Sequence, residues 1–240
     1  MYMNRARSFL CLRPCVALSA LAITVFIFTA ADTSLAQGKP QVVSIADAKK
    51  LSLGTEVTLE GTVTVASGTF RSSFSDDGFQ IQDKTSGMYI TIKTDPHLTV
   101  GQQVRLTGKL TETALKFQIV ETDEKSVQVI SVKSPPKPIA LGTGQLTQGA
   151  IGKLIKISGT VSKAVDDIAP YGFRFSIDDG TGEIIAYVST STGISAKDMT
   201  LGRRVELIGV AGEFNHRYQI YPRSPADVKL NDKKTATKGH

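Results

Sequence analysis

The stretch of sequence that decides the fold is residues 79–92, FQIQDKTSGMYITI, which recurs as residues 175–188, FSIDDGTGEIIAYV. The two stretches align without a gap, and in both of them apolar and polar residues alternate on either side of a short turn rich in Asp, Ser, Thr and Gly. Alternation with a period of two is typical of a β-strand with one buried face, and such a turn joins two strands into a hairpin. The sequence therefore predicts the same hairpin twice.

The repeat extends beyond the hairpin on both sides. Three further pairs of segments recur in the same order: 59–63 (LEGTV) with 157–161 (ISGTV), 100–104 (VGQQV) with 201–205 (LGRRV), and 117–119 (FQI) with 218–220 (YQI). A spacing of almost 100 residues indicates a duplicated domain, since solenoid repeats are about 20–50 residues long. The proline-rich segment 134–138 (SPPKP) separates the copies as a short stiff linker. We therefore predict one domain over residues 41–133 and a second over residues 139–230.

Each copy has the same order of predicted strands. A long first strand and a variable loop precede the hairpin, and a connector then leads to a fourth and a fifth strand. Gly61 and Gly108 in the first copy, and Gly159 and Gly209 in the second, lie inside strands, where glycine permits the sharp bend that closes a small barrel. This order is that of the five-stranded Greek-key barrel called the OB-fold. The fold class predicted is all-β, with two tandem five-stranded OB-fold barrels.

In these segments, and in the closing residues 218–230 (YQIYPRSPADVKL), both copies resemble the OB-fold nucleic-acid-binding family. The resemblance is to the anticodon-binding type, which is also found appended to bacterial extracellular nucleases. It implies single-stranded DNA or RNA as the partner. Such barrels bind ligands on the outer face of strands 2 and 3, beside the loops that join strands 1–2 and 4–5.

The candidate ligand-binding residues are those that point outward from the hairpins, together with residues of the adjoining loops. Phe79 and Ile81 in the first copy, and Phe173, Phe175 and Ile177 in the second, have the inward parity and are assigned to the cores. A single-strand platform needs aromatic rings for stacking and positive charge for phosphate. The candidates are Gln80, Gln82, Tyr89 and Lys93 in the first hairpin, Arg174 and Tyr187 in the second, Arg71, Phe74 and Tyr171 in the 1–2 loops, and Arg217 and Arg223 near the last strand. An outward tyrosine also follows from β-propensity alone, so both interpretations stay open.

The sequence offers little for catalysis. Asp76-Asp77 and Asp166-Asp167 are placed in the 1–2 loops and interpreted as turn residues, although paired carboxylates can also bind a cation or act as acid and base. His97, His216 and His240 stand apart, without the spacing of metal ligands. We find no nucleophile elbow, phosphate loop or dinucleotide fingerprint. The prediction is a non-enzymatic binding protein with no catalytic residues, no metal and no cofactor.

Residues 1–36 have the features of a secretory signal peptide. Three arginines precede an apolar run over residues 16–31, and the small residues Ser34 and Ala36 place cleavage after Ala36. The alternative is a retained anchor, but the run of 16 residues is shorter than the roughly 20 that a membrane span needs. We therefore expect a periplasmic or secreted protein. Both cysteines lie in this leader, so the mature chain would depend on its hydrophobic cores rather than on disulfides.

The charge of the chain sets a limit on the partner. Removing the three arginines and one aspartate of the leader takes the net charge from +6 to +4, and part of that excess lies in residues 231–240, which we expect to form a basic disordered tail. This is far from the basic surface of a dedicated duplex-DNA binder. Because export separates the protein from cytoplasmic nucleic acid, the alternative partner is a protein or glycan of the cell envelope, with the barrel serving only as a scaffold.

Overall fold

The computed structural model describes residues 41–113 and 117–231, which form two β-barrels. Both barrels belong to one compact unit. The predicted signal peptide and residues 232–240 of the predicted tail lie outside the described residues. Within the described ranges, none of the helices has the length and apolar character needed to cross a membrane.

Barrel 1 is built from seven strands and two one-turn helices. The strands are β1 (Val42–Val43), β2 (Glu56–Val65), β3 (Phe79–Gln82), β4 (Gly87–Thr91), β5 (Gln102–Glu112), β6 (Gln118–Glu121) and β7 (Val127–Val132), and the helices are α1 (Ile45–Ala48) and α2 (Arg71–Phe74). The sheet order is β1-β2-β3-β4-β6-β5-β7, and pairing of β2 with β5 closes the barrel. A 3₁₀ turn, Glu124–Ser126, leads into β7.

Barrel 2 repeats this arrangement. Its strands are β8 (Ile139–Ala140), β9 (Leu154–Ile168), β10 (Gly172–Asp178), β11 (Glu183–Ser189), β12 (Arg204–Phe214), β13 (Arg217–Tyr221) and β14 (Val228–Asn231). The order is β14-β12-β13-β11-β10-β9-β8, and β12 pairs with β9 to close the barrel. Three 3₁₀ turns connect the strands: Gln148–Ala150, Thr190–Thr192 and Pro225–Asp227.

The strand order confirms the predicted fold of two tandem OB-fold barrels. Among the five central strands of each barrel, β2–β6 and β9–β13, one pair is parallel, β4 with β6 and β11 with β13, and the other pairs are antiparallel. This is the five-stranded Greek-key arrangement. The short edge strands β1, β7, β8 and β14 add to it and were not predicted, because two to six residues carry too little periodicity to be recognised. The edge strands β1 and β8 pair in parallel with β2 and β9.

The alternation in the sequence places the cores as expected. Phe79 and Ile81 are fully buried in barrel 1, and Phe175 and Ile177 are buried in barrel 2. Gly61 of β2 lies against β3, and a Cβ atom there would press on Ile81 and on the backbone of Gln82. The glycine therefore allows β2 to curve around the barrel while remaining in contact with β3.

The two barrels differ in the connection between their first and second strands. In barrel 1 this connection is a loop over residues 66–78 that contains α2, but in barrel 2 it is a short turn over residues 169–171. Asp166 and Asp167, which we placed in a loop, therefore lie in β9, where they pair with Arg174 and Phe173 of β10. A register shift in this ladder lets β9 continue past the barrel, so its backbone groups are satisfied by β10 rather than by water.

Candidate nucleic-acid interface

The outer face of the hairpin in barrel 1 is covered by barrel 2. The Nε2 atom of Gln80 donates a hydrogen bond of 2.9 Å to the carbonyl oxygen of Gly152, and the backbone N–H of Leu154 donates one of 2.8 Å to Oε1 of Gln82. Gln80 is 4% exposed, Gln82 is 7% exposed and Tyr89 is 9% exposed. All three point away from the core of barrel 1, as predicted, but they meet a second barrel rather than solvent. In this arrangement they cannot form an open platform along which a nucleic-acid strand could lie.

Two glycines allow the barrels to approach this closely. A Cβ atom at Gly87 would overlap the backbone carbonyl of Gly152, and a Cβ atom at Gly152 would overlap that of Gly87. Gly152 also has a φ of +85°, which side chains other than glycine rarely adopt. The contact between the barrels is therefore partly a backbone contact, and no outward side chain of the hairpin reveals it.

Aromatic residues fill the rest of the contact. The ring of Phe74 stacks on that of Tyr89 with a centroid separation of 4.5 Å, and Tyr221 of barrel 2 lies 6.3 Å from Phe70 and 5.6 Å from Tyr187. We call these five side chains the inter-barrel cluster. Each Å² of apolar surface that these rings remove from water stabilises the contact by about 25 cal/mol. The predicted stacking residues Phe74, Tyr89 and Tyr187 are thus brought together, but as packing between the barrels.

The hydroxyl groups of the cluster are also engaged. The Tyr89 hydroxyl donates a hydrogen bond of 2.6 Å to Oδ1 of Asp76, and burial together with the negative charge of Asp76 raises the pKa of Tyr89. The Tyr221 hydroxyl donates one of 2.8 Å to Oε1 of Gln219, and burial raises the pKa of Tyr221 as well. Both tyrosines remain neutral at any ordinary pH, so they offer ring surface and no charge.

Helix α2 covers the end of the barrel 2 hairpin that lies opposite its turn, next to Tyr171 and Ser189. The Ser72 hydroxyl donates a hydrogen bond of 2.9 Å to the carbonyl of Tyr171, and the Ser73 hydroxyl donates one of 2.9 Å to Ser189. From the other side, the Ser191 hydroxyl donates one of 2.7 Å to the carbonyl of Thr69. These polar contacts bury the end of β11 that carries Tyr187 and Ser189, so only the far end of this hairpin face is open.

Arg223 serves the same contact. Its Nε and Nη2 atoms donate to the two carboxylate oxygens of Asp227 at 2.8 and 2.7 Å, and Nη1 donates at 2.7 Å to the carbonyl of Thr64 in barrel 1. Every edge of the guanidinium is occupied, and the partner carboxylate is buried. The predicted phosphate contact is therefore replaced by a structural ion pair that also joins the barrels.

Three other candidates remain accessible. Arg71 is exposed in α2 and forms an ion pair with Asp77, and Tyr171 is 53% exposed at the turn between β9 and β10. Lys93 is exposed after the end of β4 and has no ion-pair partner among the described residues. Because Ser72 binds the Tyr171 carbonyl, Arg71 and Tyr171 lie at the outer edge of one contact. Among the described residues, Lys93 forms no hydrogen bond or ion pair with either of them, so these three residues do not form one site.

The rest of the outer face of the barrel 2 hairpin forms a separate surface, which we call the open face. Arg174, the cross-strand partner of Tyr187, lies at its border with the covered end. The open face consists of Lys163 of β9, Arg174 of β10, Ile185 of β11, and Arg217 and Tyr218 of β13. These residues line two adjoining depressions of about 360 and 210 Å³ that share Lys163, Glu183, Ile185 and Arg217. Basic groups thus lie beside an apolar side chain and an exposed aromatic ring, which is the combination that a single-strand platform requires.

The charges of the open face are partly balanced. Lys163 forms an ion pair of 2.5 Å with Glu183, and Arg174 forms one of 2.7 Å with Asp166. The hydrogen bond from Lys163 lowers the pKa of Glu183, so that this carboxyl is ionised near neutral pH. Arg217 has no ion-pair partner in the part of the chain that the structure describes, and its guanidinium is exposed. Arg217 is therefore the cation most available for an incoming phosphate.

The sequence predicted Arg174 and Arg217 as ligand contacts and the outward direction of Ile185, but it did not indicate Lys163 or Tyr218. Lys163 was overlooked because β9 continues past the end of the repeated segment, and Tyr218 because its repeat partner, Phe117, suggested a core position. The run from Val161 to Ile168 contains apolar residues at Val161, Val165 and Ile168, which was too irregular to mark a strand. The sequence therefore does not show that β9 extends to Ile168, and this extension is what places Lys163 beside the hairpin.

A larger cleft of about 770 Å³ lies between the barrels. Aromatic and apolar side chains form most of its wall, among them Phe70, Phe74, Tyr89, Phe117 and Tyr221. Lys49 also lines it, and its Nζ atom donates hydrogen bonds of 2.9 Å to the Ser86 hydroxyl and 3.2 Å to the Ile151 carbonyl. Burial and then the positive charge of Lys153 lower the pKa of Lys49 to about 8. The sequence analysis did not single out Lys49.

No group of three or more His, Cys, Asp or Glu side chains able to hold a metal ion occurs within residues 41–113 and 117–231. The paired aspartates have other partners. Asp76 accepts hydrogen bonds from the hydroxyls of Tyr89 and Thr91, and Asp77 pairs with Arg71.

Solved structures similar to this chain include other OB-fold proteins. A murine DNA binding protein bound with double-stranded DNA aligns with a TM-score of 0.38 and 12% identity, covering 73% of this chain and 97% of that one. The OB domain of MM0293 from Methanosarcina mazei aligns with a TM-score of 0.33 and 15% identity, covering 40% of this chain and 84% of that one. These scores are low, so the assignment of the fold rests on the strand order of each barrel.

No family model matches the chain. Its sequence is 29% identical over 197 residues to Endonuclease YhcR of Bacillus subtilis (strain 168), in an alignment that takes in 77% of this chain and 16% of the endonuclease. The chain thus corresponds to a small part of the length of that relative. The prediction of a non-enzymatic protein is overturned by this finding, because most of the chain is similar to a segment of an enzyme.

Proposed function

We propose that this chain binds single-stranded nucleic acid on the open face of barrel 2 and holds the strand for a nuclease reaction. The observation that carries the proposal is the grouping of Lys163, Arg174 and Arg217 beside Tyr218 and Ile185 on the uncovered part of an OB-fold hairpin. The similarity of most of the chain to part of an endonuclease supports the same class of ligand.

The chemistry of the open face favours a single strand. Arginine and lysine bind phosphate oxygens, whereas Tyr218 and Ile185 offer surface on which an unpaired base can rest. A base inside a duplex has no free ring face to stack on a side chain. Because Glu183 and Asp166 already neutralise part of the charge, the binding is expected to be weak. At most three phosphates are neutralised, which gives a slope of log affinity against log salt of about −2 for a single strand.

We also propose that this takes place outside the cytoplasm, on the basis of the signal peptide predicted over residues 1–36. Nucleic acid released into the surroundings would then be the available ligand. No comparison favours the alternative partner, a protein or glycan of the cell envelope.

The test is fluorescence anisotropy of the full chain with a labelled single-stranded oligonucleotide of about 12 nucleotides over a series of salt concentrations. Arg217→Gln is expected to weaken binding severalfold and to reduce the salt slope by about 0.7. Lys125→Gln is the matched control, because Lys125 is exposed on barrel 1, far along the chain from the open face. Equal affinities for wild type, Arg217→Gln and Arg174→Gln would rule out the open face. Equal competition by a duplex would rule out preference for a single strand.

Cleavage is measured with the same preparations. The labelled strand is incubated with the full chain in the presence of Mg²⁺, Ca²⁺ or Mn²⁺ and then separated on a denaturing gel. Fragments that depend on the wild-type chain, and that decrease with Arg217→Gln, would assign hydrolysis to the described barrels or to residues they position. Binding without fragments would limit the role of the chain to holding the strand.

A further inference from the structure

The cleft between the barrels is lined by two groups of residues, and neither group belongs to the open face. One part is aromatic, formed by residues of the inter-barrel cluster and by Phe117, and the other part carries the ammonium group of Lys49. None of the five residues of the open face lines this cleft. It is therefore a second site, whose chemistry can be tested independently of the proposed function.

The ammonium group of Lys49 lacks a direct counter-charge. Its hydrogen-bond partners are neutral oxygens, the Ser86 hydroxyl and the Ile151 carbonyl. The nearby carboxylate of Asp83 attracts it, but the oxygens of Asp83 accept hydrogen bonds from the backbone N–H groups of Ile45, Thr85 and Ser86. Lys153 of barrel 2 adds repulsion. A partly buried cation in this position is stabilised by any anion that enters the cleft.

The aromatic part of the cleft offers ring surface and few polar atoms. Tyr89 and Tyr221 both direct their hydroxyls to protein acceptors, and Phe74 and Phe117 are partly exposed. A planar ring can stack on such a wall, and each base–aromatic stack contributes about 1–3 kcal/mol. The amide of Gln118 also lines the cleft, where it can bind the polar edge of a base. The Gln148 amide lines it too, but its Nε2 atom donates a hydrogen bond of 3.0 Å to Oε2 of Glu213, a carboxylate on the barrel 2 side of the cleft.

From this geometry we propose that the cleft binds a nucleoside monophosphate, with its base against the aromatic wall and its phosphate at Lys49. The cleft volume of about 770 Å³ lies within the range of about 300–1,000 Å³ that is typical of small-molecule sites. Two sources share this chemistry: a free mononucleotide, and the phosphorylated end of a strand. The proposal goes beyond binding on the open face, because it assigns a distinct ligand to distinct residues.

The experiment is isothermal titration calorimetry of the full chain with the 5′- and 3′-monophosphates of the four common nucleosides. The corresponding nucleosides and inorganic phosphate serve as component probes. We expect at least one monophosphate to bind more than tenfold tighter than its nucleoside and than phosphate alone, and Lys49→Gln to remove that advantage. Lys125→Gln is the control, since Lys125 is exposed on barrel 1 and lines neither the cleft nor the open face, and it should leave monophosphate affinity unchanged.

The two sources are distinguished with oligonucleotides that carry or lack a terminal phosphate. If Lys49→Gln weakens binding only of the phosphorylated strand, the ligand is a strand end. If it affects free monophosphates but neither oligonucleotide, the ligand is the free nucleotide. Phe117→Leu provides a second variant in case Lys49→Gln lowers stability, since it removes a ring from the cleft wall and keeps a large apolar side chain. The proposal is wrong if no monophosphate binds at 10 mM, if nucleosides bind equally well, or if neither variant lowers affinity.

Discussion

Gln80 and Gly152 are 72 residues apart in the chain, and a hydrogen bond of 2.9 Å between the side-chain amide of Gln80 and the backbone carbonyl of Gly152 joins the two barrels. Gln82 forms the companion bond with the backbone of Leu154. Together they turn the outer face of one OB-fold hairpin into a contact surface. The hairpin face of barrel 1, where an OB-fold usually binds its ligand, is therefore covered. The accessible part of such a face is on barrel 2.

Replacing Gln82 with methionine tests how much this contact stabilises the chain. Gln82→Met keeps the length of the side chain but leaves the Leu154 N–H buried without an acceptor. We expect the free energy of unfolding to decrease by about 1–3 kcal/mol, the cost of an unsatisfied buried polar group. Gln128→Met is the control, since Gln128 is exposed on β7. Urea unfolding measures both variants, and equal midpoints would contradict the role given to Gln82.

Because Gly87 and Gly152 are in backbone contact, we predict that adding a single methyl group at Gly87 moves the two barrels apart. In Gly87→Ala the new Cβ atom overlaps the Gly152 carbonyl, so the barrels must move apart or strain the backbone. We expect small-angle X-ray scattering to give a larger radius of gyration, and a lower midpoint of thermal unfolding. Gly149→Ala is the control, because a Cβ atom at Gly149 would meet only the Thr147 hydroxyl, at 4.0 Å. An unchanged scattering curve for Gly87→Ala would show that the barrels do not depend on this contact.

Arg223 and Arg174 are expected to have opposite roles. Arg223→Met leaves the Asp227 carboxylate, which is 6% exposed, without its partner, and removal of one member of a buried ion pair costs about 3–5 kcal/mol. Arg174→Met breaks an exposed pair with Asp166, which is worth about 0–1 kcal/mol. We therefore expect Arg223→Met to lower stability strongly, and Arg174→Met to lower oligonucleotide affinity with little change in stability. Chemical unfolding and anisotropy on both variants check this, and a reversed pattern would exclude the assignment.

The lowered pKa of Lys49 predicts that stability depends on pH. Below about pH 8, Lys49 is protonated in both the folded and the unfolded state, so the folded protein bears the full cost of the buried charge. Between pH 8 and its ordinary value of 10.5, the folded state releases the proton while the unfolded state keeps it. Stability should therefore rise with pH across this window.

This rise is measured as the difference in free energy of unfolding between wild type and Lys49→Met, which removes the contributions of other titrating groups. Lys153 and Asp83, which both act on Lys49, are present in both proteins. The wild type should gain stability relative to the variant from pH 8 to pH 10. Parallel curves over that range would mean that Lys49 is not held in an environment that disfavours its charge.

The duplication and the barrel cores followed from the sequence. Phe79 and Ile81, with Phe175 and Ile177, alternate with polar residues at a period of two, and that period is a property of one strand. It shows which side of a strand faces the core without any knowledge of the neighbouring strands. The shared order of the repeated segments then limited the topology to one five-stranded arrangement.

The candidate site was only partly predictable. The sequence placed Gln80, Gln82 and Tyr89 on the outer side of the hairpin correctly, but glutamine and tyrosine suit both a wet surface and a contact between domains. Whether these side chains contact solvent is decided by residues such as Gly87 and Gly152, because their lack of a side chain lets the two barrels approach closely. The sequence by itself therefore determined the two barrels and their inner faces, because strand periodicity is local. Only the tertiary structure decided which outer face stays open, because that depends on how closely two distant backbones can approach.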